Sequence, residues 1–437
     1  MGAPRPGATA RFAPQVERID PARVIADLRE LRALTAGAGG ADRVAWSEGW
    51  RTARAMLTGR LEALGIPWER DEAGNIWATV AGTRRGTVAI GSHLDAVPSG
   101  GWLDGALGVL TALELMRLIR GAADPPQHTV ALVDFADEEG ARFGRSLFGS
   151  SAVSGALDPR ELRDLCNGDG ESLSALLREN GVEVDRIGEA AARRRDLVAY
   201  LELHIEQGPV LEGLGLSVAP VRAVCGIERY RVTITGETGH AGALPMAARC
   251  DAFLAAADGA LRMEAVAREH DGMATIGQIE LAPGIATAVA GAASFVVDLR
   301  HPEPLALAPF AAAVERALSA AAAQRGCRCE LSTIWRMPPT RFDPGLVDAA
   351  LAICAARTGS DHLAVSGPGH DAVEMARHVA TVMLFAPSTG GVSHSPLEDT
   401  PVADLEVAIG AFAVLALAVV EGAVAPMPDA AVRCGDR

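Results

Sequence analysis

Short, continuously apolar segments alternate along the chain with segments whose apolar residues recur at helical spacing. The apolar segments predict β-strands over residues 87–91, 129–136, 198–204 and 380–385. The segments with helical spacing predict α-helices over residues 25–34, 46–64, 105–119 and 346–356. Strands without polar positions are typical of a sheet that is covered on both faces. The alternation therefore predicts an α/β fold in which a sheet lies between layers of helices.

The middle of the chain follows a different order of elements. Strand, helix, strand, strand, helix and strand are predicted in turn over residues 229–235, 246–267, 273–281, 292–299, 304–324 and 327–335. This βαββαβ order is typical of a small α+β sandwich with an open face. We therefore predict two domains, in which a catalytic domain formed by residues 1–216 and 338–437 receives an insertion over residues 217–337.

Composition agrees with a two-domain globular protein and excludes some classes of binding partner. The chain has 437 residues and a formal net charge of -15, which argues against binding to nucleic acid or to an anionic membrane. Residues 407–420 are apolar throughout, but this run is shorter than the roughly 20 residues of a membrane span, so a core helix is expected. The 7 cysteines form no CxxC pair and no secretory signal is visible, so we expect a cytoplasmic protein with free thiols.

Side chains that can bind metal ions follow the ends of several predicted strands. They are His93, Asp104, Glu138, Glu139, His204 and His394. Open α/β sheets bind ligands at the carboxyl ends of their strands, so these side chains are expected to converge. Histidine and carboxylate ligands suit two ions such as zinc, and a carboxylate in a turn, as at Asp104, can bridge them.

The adjacent glutamates and a nearby aspartate suggest how such a site would work. One of Glu138 and Glu139 can bind metal while the other stays free as a general base. Asp95 lies two residues after His93 and is a candidate partner for its imidazole. A single histidine after a strand is more often structural, and an acidic run is more often a solvated loop. The joint pattern, rather than any one residue, is what favours a metal site.

Six motifs occur in order from about Arg18 to the apolar helix after Pro401. They are GSHLDAVPSGGWLDGALGV, DFADEEGARFGRSLFGS, LELHIEQGPVLE, GHAGALPMAARCDA, SGPGHDA and TGGVSHSP. With these motifs the chain resembles the hydantoinase/carbamoylase family of di-zinc amidohydrolases, within the zinc-aminopeptidase-like peptidase superfamily. The resemblance implies a catalytic domain with a mixed sheet between helices and an inserted α+β lid domain that also forms the dimer.

The resemblance also implies roles for individual residues. Glu138 falls on the catalytic base; Asp95, which its spacing to His93 rather than the resemblance singles out, is placed with it in the catalytic set. The implied metal ligands are His93, Asp104 (as the bridge), Glu139, His204 and His394. The implied substrate-binding residues are Gln207, His240, Thr287 and Arg300. Of these, Arg300 is expected to bind a substrate carboxylate. Four positions depart from the family pattern, namely Thr287 where asparagine is usual, Ala290 where proline is usual, Gly239 before the lid histidine, and Trp102 in the first motif.

The function expected from this resemblance is hydrolysis of a C–N bond in a small N-carbamoyl amino acid, with release of amino acid, CO2 and ammonia. The alternatives are an allantoate-type amidohydrolase, a di-zinc N-acyl-amino-acid deacylase or dipeptidase, and a catalytically silent metal-binding protein. Two divalent ions per subunit are expected, with zinc first and manganese, cobalt or nickel as alternatives. The expected partners are a small carboxylate-bearing substrate and a second copy of the chain, joined through the lid domain.

Overall fold

The computed structural model describes residues 18–37 and 39–426, so the remaining residues of the predicted catalytic domain lie outside the described residues. The chain packs as two compact units. The described part of the first unit comprises residues 18–222, except residue 38, with 341–364 and 369–426. The second unit comprises residues 223–340 and 365–368.

The helices of the described residues fall in both units. In chain order they are α1 Pro21–Leu34, α2 Glu48–Ala63, α3 Ala106–Arg120, α4 Phe148–Ser154, α5 Pro159–Leu162, α6 Leu173–Glu179, α7 Val210–Leu214, α8 Ala252–Glu269, α9 Pro304–Gln324, α10 Pro344–Thr358, α11 Asp371–Met375 and α12 Val402–Val420. Three further segments are 3-10 helices, over Val184–Asp196, Met246–Ala248 and Thr389–Gly391.

The strands are numbered in the same way. They are β1 Ala36–Gly37, β2 Gly40–Ala41, β3 Trp68–Arg70, β4 Ile76–Val80, β5 Arg84–His93, β6 His128–Phe135, β7 Leu197–Ile205, β8 Ala219–Val224, β9 Gly226–Thr235, β10 Gly239–His240, β11 Met273–Ala282, β12 Ala288–Val289, β13 Ala292–His301, β14 Arg328–Met337, β15 Thr340–Arg341, β16 Ala364–Ser366 and β17 Ala380–Ala386.

The main sheet has the strand order β15-β8-β17-β7-β5-β6-β4-β3, with β16 paired to β8. Its central strands β17, β7, β5 and β6 run parallel to one another, whereas β8 runs antiparallel to β17 and β4 runs antiparallel to β6. Because the central strands are parallel, their carboxyl ends share one edge of the sheet. The predicted α/β fold with a mixed sheet between helices is confirmed.

Among the described residues, two helices, α9 and α12, are long and apolar enough to cross a membrane by length and composition. Helix α12 packs against α1, α10 and β17. Leu405, Ile409 and Phe412 on this helix are fully buried in the described structure. The apolar run predicted at residues 407–420 is therefore a core helix of the first unit.

The second unit contains an antiparallel sheet of order β11-β13-β9-β14. Helices α8 and α9 pack on it around a core that includes Val232, Phe295 and Phe310. The elements follow the predicted order, but the predicted start of the first helix at residue 246 was wrong. Helix α8 begins at Ala252, because the Asp251 side chain caps it by accepting the N–H groups of the next turn.

Candidate dinuclear metal site

The predicted ligands of the first unit follow parallel strands that end at one edge of the sheet. His93 is the last residue of β5, and His204 is the penultimate residue of β7. Glu138 and Glu139 follow β6, which pairs in parallel with β5. Parallel register therefore brings these side chains together, as expected for a binding crevice in an open α/β sheet.

Asp104 lies between two groups of possible ligands. Its Oδ1 is 3.1 Å from His204 Nε2 and 3.7 Å from His93 Nε2. Its Oδ2 is 3.3 Å from His394 Nε2, and Glu139 Oε2 lies 3.4 Å from the same nitrogen. These side chains form two groups that could each hold a metal ion, and Asp104 belongs to both groups. The carboxylate thus offers one oxygen to each group, which is the arrangement of a bridging ligand.

The two buried histidines present the same ring nitrogen to this carboxylate. His204 Nδ1 lies 2.9 Å from the carbonyl oxygen of Ile205, and His93 Nδ1 lies 3.2 Å from that of Asp95. A carbonyl oxygen only accepts, so the proton of each neutral ring sits on Nδ1. In the neutral ring Nε2 then carries the lone pair that a metal ligand requires, whereas a protonated ring donates a hydrogen bond from Nε2 to Asp104.

The turn that carries the two glutamates is shaped by Asp95. The Asp95 carboxylate accepts the backbone N–H groups of Glu138 (3.2 Å) and Glu139 (3.1 Å). Its Oδ1 is 3.6 Å from His93 Nδ1, so the closer polar contact of that ring is with the Asp95 carbonyl. Asp95 therefore orients the glutamate pair at least as directly as it orients the imidazole.

Residue Asp137, just before the glutamate pair, has a left-handed backbone with φ of 55°. Its carboxylate accepts the indole N–H of Trp46 at 2.9 Å, and both residues are buried. Gln207 and His394 at the site are also left-handed, with φ of 59° and 52°. Such backbone is costly for residues with a Cβ and persists where surrounding contacts enforce it. Its concentration here indicates that these loops are held in one conformation.

Negative charge accumulates at the site. Burial raises the pKa of Glu138 well above its ordinary value, and burial together with the Asp104 carboxylate raises the pKa of Glu139 to about 8. Burial also acts to raise the pKa of Asp104, but hydrogen bonds from His204 and His394 hold it well below its usual range. The hydrogen bond to Asp104 in turn raises the pKa of His394 to about 9. Cations bound between these groups would offset the crowding of carboxylates.

The donor set fits divalent metal ions. Glu139 Oε1 is buried and has no hydrogen-bond partner in the described structure. Buried polar atoms are normally satisfied, so a bound cation would explain this oxygen. Histidine nitrogens and carboxylate oxygens in one cluster suit borderline divalent ions. His394 is 48% exposed, whereas His93, Asp104 and His204 are almost fully buried. The group that contains His394 is therefore the one more open to solvent.

A second layer of polar side chains packs against the ligands, and its carboxylates were not predicted from the sequence. His370 packs edge-on against His204, with ring centroids 4.5 Å apart, and Glu202, His204 and His370 could together hold a metal ion. Glu202 accepts the Ser92 hydroxyl at 2.7 Å and the Ala372 N–H at 3.1 Å. The available signal was strand alternation, because Glu202 lies two residues before His204 and points to the same face.

The substrate-binding residues predicted from the resemblance fall in both units. Gln207 is in the first unit and donates to Asp104 Oδ2 at 2.7 Å. His240, Thr287 and Arg300 are in the second unit. His240 is paired with Ala288 between β10 and β12, and the Thr287 carbonyl accepts the N–H of the residue after His240 at 2.9 Å.

Arg300 is held on the sheet of the second unit. Its Nε donates to Asp298 at 2.8 Å and its Nη1 donates to the carbonyl of Gly367 at 3.0 Å. Asp298 also accepts from Arg229 at 2.6 Å. The Arg300 Nη2 makes no hydrogen bond among the described residues. The ion pair with Asp298 thus orients the guanidinium while leaving donor capacity for a ligand.

Two departures from the family pattern have a local explanation. Trp102 is 6% exposed, and the guanidinium carbon of Arg32 lies 5.7 Å from its ring centroid, which favours a packing role over a stacking face for substrate. At Gly239 a Cβ would lie 2.6 Å from Leu244 Cδ2, so a larger residue would require Leu244 to move.

Substituting Gly105 with alanine is expected to damage the site and the fold together. Gly105 has φ of 64°, and a Cβ there would lie 2.4 Å from the His93 ring. We expect Gly105→Ala to lower the free energy of unfolding by about 1–3 kcal/mol and to displace the His93 ligand. Gly59→Ala in α2 is the control, because a Cβ there meets nothing within 4 Å. Equal denaturation midpoints for Gly105→Ala and the unmodified chain would contradict this packing argument.

The chain is similar to amidohydrolases over most of its length. It is 33% identical to the N-carbamoyl-L-amino-acid amidohydrolase of Paenarthrobacter aurescens over 399 residues, covering 90% of this chain and 95% of that protein. It is also 33% identical to the allantoate amidohydrolase of Escherichia coli (strain K12) over 372 residues, covering 84% and 90% of the two chains.

Family and structural matches agree with these relatives. The crystal structure of a hydantoinase/carbamoylase family amidase from Burkholderia multivorans has a TM-score of 0.85 and 30% identity, with 92% of this chain and 98% of that chain covered. Residues 89–418 match the model of Peptidase family M20/M25/M40. These findings confirm the resemblance carried by the sequence motifs. The chain therefore belongs to peptidase family M20/M25/M40 and, within it, to the hydantoinase/carbamoylase amidohydrolases, which hydrolyse C–N bonds other than peptide bonds.

Proposed function

We propose that the protein is a metal-dependent amidohydrolase that cleaves the C–N bond of a small N-carbamoyl amino acid. The observation that carries the proposal is the division of the two Asp104 oxygens between two candidate ligand groups. We assign one cation to His93, Asp104 and His204, and the other to Asp104, Glu139 and His394. Both groups contain histidine and carboxylate donors, which supports zinc as the native ion.

Glu138 is the group we assign to proton transfer. Cations at the two groups would polarise the scissile carbonyl and acidify a water molecule. Glu138 Oε2 lies 3.7 Å from His93 Nε2, so it reaches the cluster without being needed as a ligand. Glu138 takes a proton from the attacking water and passes it to the leaving nitrogen as the C–N bond breaks. Burial raises the pKa of Glu138 above its ordinary value, which supports this role because it makes the carboxylate a stronger base.

The remaining proposed residues bind or orient the substrate. Gln207 contacts Asp104, which supports a place for its amide beside the reacting group. His240 is assigned to the carbonyl oxygen and Arg300 to the substrate carboxylate, both by the resemblance of their motifs. Thr287 would take the place of the usual asparagine, with one hydroxyl in place of an amide. For an N-carbamoyl amino acid, the products are the free amino acid, CO2 and ammonia.

Ammonia release by the metal-reconstituted protein tests the proposal. The panel contains N-carbamoyl-L-amino acids, N-carbamoyl-β-alanine and allantoate, together with N-acetyl amino acids and dipeptides followed by release of free amine. We expect ammonia from at least one carbamoyl compound, with the activity lost in a chelator and restored by zinc. Activity on the acyl or peptide compounds alone would contradict the proposal and favour a deacylase.

Allantoate is the second candidate substrate, because an allantoate amidohydrolase matches this chain at the same 33% identity as the carbamoyl-amino-acid enzyme. Both substrates carry a ureido group and a carboxylate, so the same cation groups serve either. The ratio of kcat/KM for allantoate to that for the best carbamoyl amino acid decides between them.

We further propose a cytoplasmic homodimer formed through the second unit. Strand β11 is at an edge of its sheet and exposes Met273, Ile279 and Leu281. An exposed apolar edge strand is a ready surface for pairing with another chain. Light scattering after size-exclusion chromatography should give twice the mass of one chain, and a single-chain mass at micromolar concentration would contradict the dimer.

Replacing Arg300 with lysine is expected to weaken substrate binding selectively. A lysine ammonium cannot reproduce the bidentate fork that a carboxylate accepts. We expect Arg300→Lys to raise KM by about tenfold or more, the loss of one charge-assisted hydrogen bond, with a smaller effect on kcat. Arg328→Lys, at an exposed position of β14, is the control. Unchanged KM for Arg300→Lys on every active substrate would rule out its assigned role.

A further inference from the structure

The turn that carries Asp104 is held by a carboxylate that lies far away in the sequence. Glu398 Oε1 accepts the backbone N–H groups of Leu103 (2.9 Å) and Asp104 (3.0 Å). Glu398 is 2% exposed. Gly101 packs directly against it, since a Cβ at Gly101 would lie 2.0 Å from the Glu398 carboxylate. The turn and the Glu398 carboxylate are therefore closely packed, and a side chain larger than that of Gly101 would displace the carboxylate.

The other oxygen of Glu398 contacts the loop that carries His394. Ser393 Oγ lies 2.9 Å from Glu398 Oε2 and 3.2 Å from Asp104 Oδ2, so its proton can be donated to either carboxylate. The Glu398 N–H donates to the Ser395 carbonyl at 3.0 Å. His394 lies between these two serines and has the left-handed backbone described above. Glu398 thus contacts the residues on both sides of one proposed ligand and the backbone of another.

A buried cation supports the same region. Arg43 is fully buried, its Nε donates to the Leu94 carbonyl at 2.9 Å, and its Nη2 is 3.4 Å from the Gly101 carbonyl. These carbonyls belong to the segment between His93 and Asp104. A buried carboxylate is costly unless it is hydrogen-bonded and has opposite charge nearby, and Glu398 has both.

We propose that Glu398 is a positioning residue that couples the two cation groups by fixing Asp104 and His394 relative to one another. This proposal rests on the dinuclear site proposed above. Glu398 does not act on the substrate itself, because it is almost fully buried and its oxygens are occupied by hydrogen bonds from Leu103, Asp104 and Ser393. Carboxylates that hold metal ligands in place influence cation affinity even though they do not touch the ion.

The test measures cation affinity separately from turnover. Apoproteins of the unmodified chain, Glu398→Ala, Glu398→Gln and Gly101→Ala are titrated with zinc against a competing chelator and with cobalt followed by visible absorption. Glu398→Ala is expected to weaken cation binding by about 10–100-fold, to change the cobalt spectrum, and to lower kcat with little change in KM. Glu398→Gln should recover most of the affinity, because its amide oxygen can still accept both N–H groups.

Gly101→Ala tests the same contact without removing the carboxylate. Its Cβ would push the Glu398 side chain away, so we expect weakened cation binding like that of Glu398→Ala. The controls are Asp399→Asn, which removes an exposed neighbouring charge, and Gly59→Ala in α2. Both should match the unmodified chain.

The outcomes separate this proposal from the proposed function. Cation affinity and cobalt spectra unchanged in Glu398→Ala and Gly101→Ala would overturn the positioning role while the dinuclear site stands. If Glu398→Ala fails to fold, Gly101→Ala decides by the same readouts, because its added Cβ displaces the carboxylate that Glu398→Gln largely replaces. If the unmodified chain binds fewer than two cations, the proposed function itself fails.

Discussion

Replacing Glu138 with glutamine should lower kcat by about 10²–10⁴-fold, the usual contribution of a general acid–base group. Glutamine keeps the size of the side chain but cannot take a proton from water. The proposed ligands are other residues, and Glu138 reaches only within 3.7 Å of His93 Nε2. Glu138→Gln should therefore still bind two cations per chain, although its kcat is strongly lowered.

The measurement is kcat and KM on the best ureido substrate together with elemental analysis of bound metal. Glu406→Gln is the matched control, because Glu406 is exposed on α12. Glu139→Gln is the informative contrast, since it removes a proposed ligand and should lose cation as well as activity. A kcat near that of the unmodified chain in metal-loaded Glu138→Gln would contradict the proposed mechanism.

Removing the proposed bridge should have a larger effect on cation binding than removing a ligand from one group. Asp104 offers Oδ1 to His93 and His204, and Oδ2 to His394. In Asp104→Asn one oxygen becomes an amide nitrogen, which cannot bind a cation, and the shared negative charge is lost. We expect both cations to bind more weakly in Asp104→Asn, by about 10–100-fold or more for a perturbed ligand shell.

His394→Ala provides the contrast, because His394 belongs to one group and is half-exposed. We expect this variant to keep one tightly bound cation and to lose the other. Calorimetric titration of each apoprotein with zinc separates the two cases. Equal loss of both cations in His394→Ala, or two tight cations in Asp104→Asn, would show that Asp104 is not the bridge.

The fold class and the convergence of the site residues could be predicted because both follow from local patterns. Continuous apolar strands indicate a buried sheet, and polar residues just after parallel strands must meet at one edge. His93, Glu138 and His204 lie at the edge of the sheet where these patterns predict them. Their convergence depends only on the strands running parallel, so it could be predicted without the strand order.

The supporting residues could not be predicted in the same way, because their contacts join distant parts of the chain. Glu398 holds the N–H of Asp104, although the two residues are almost 300 positions apart. Trp46 donates to Asp137 across 91 positions. Nothing in the local pattern around either acceptor indicates its partner. The start of α8 was placed wrongly for a related reason, since a capping side chain rather than apolar spacing sets the boundary.

The most direct test of the account is the activity of the apoprotein as zinc is added in measured equivalents. The central claim is that catalysis needs two cations held around Asp104. Ammonia release from the best ureido substrate should stay low through the first equivalent and rise to its maximum with the second. Full activity after one equivalent, or activity that persists in the metal-free protein, would contradict the claim.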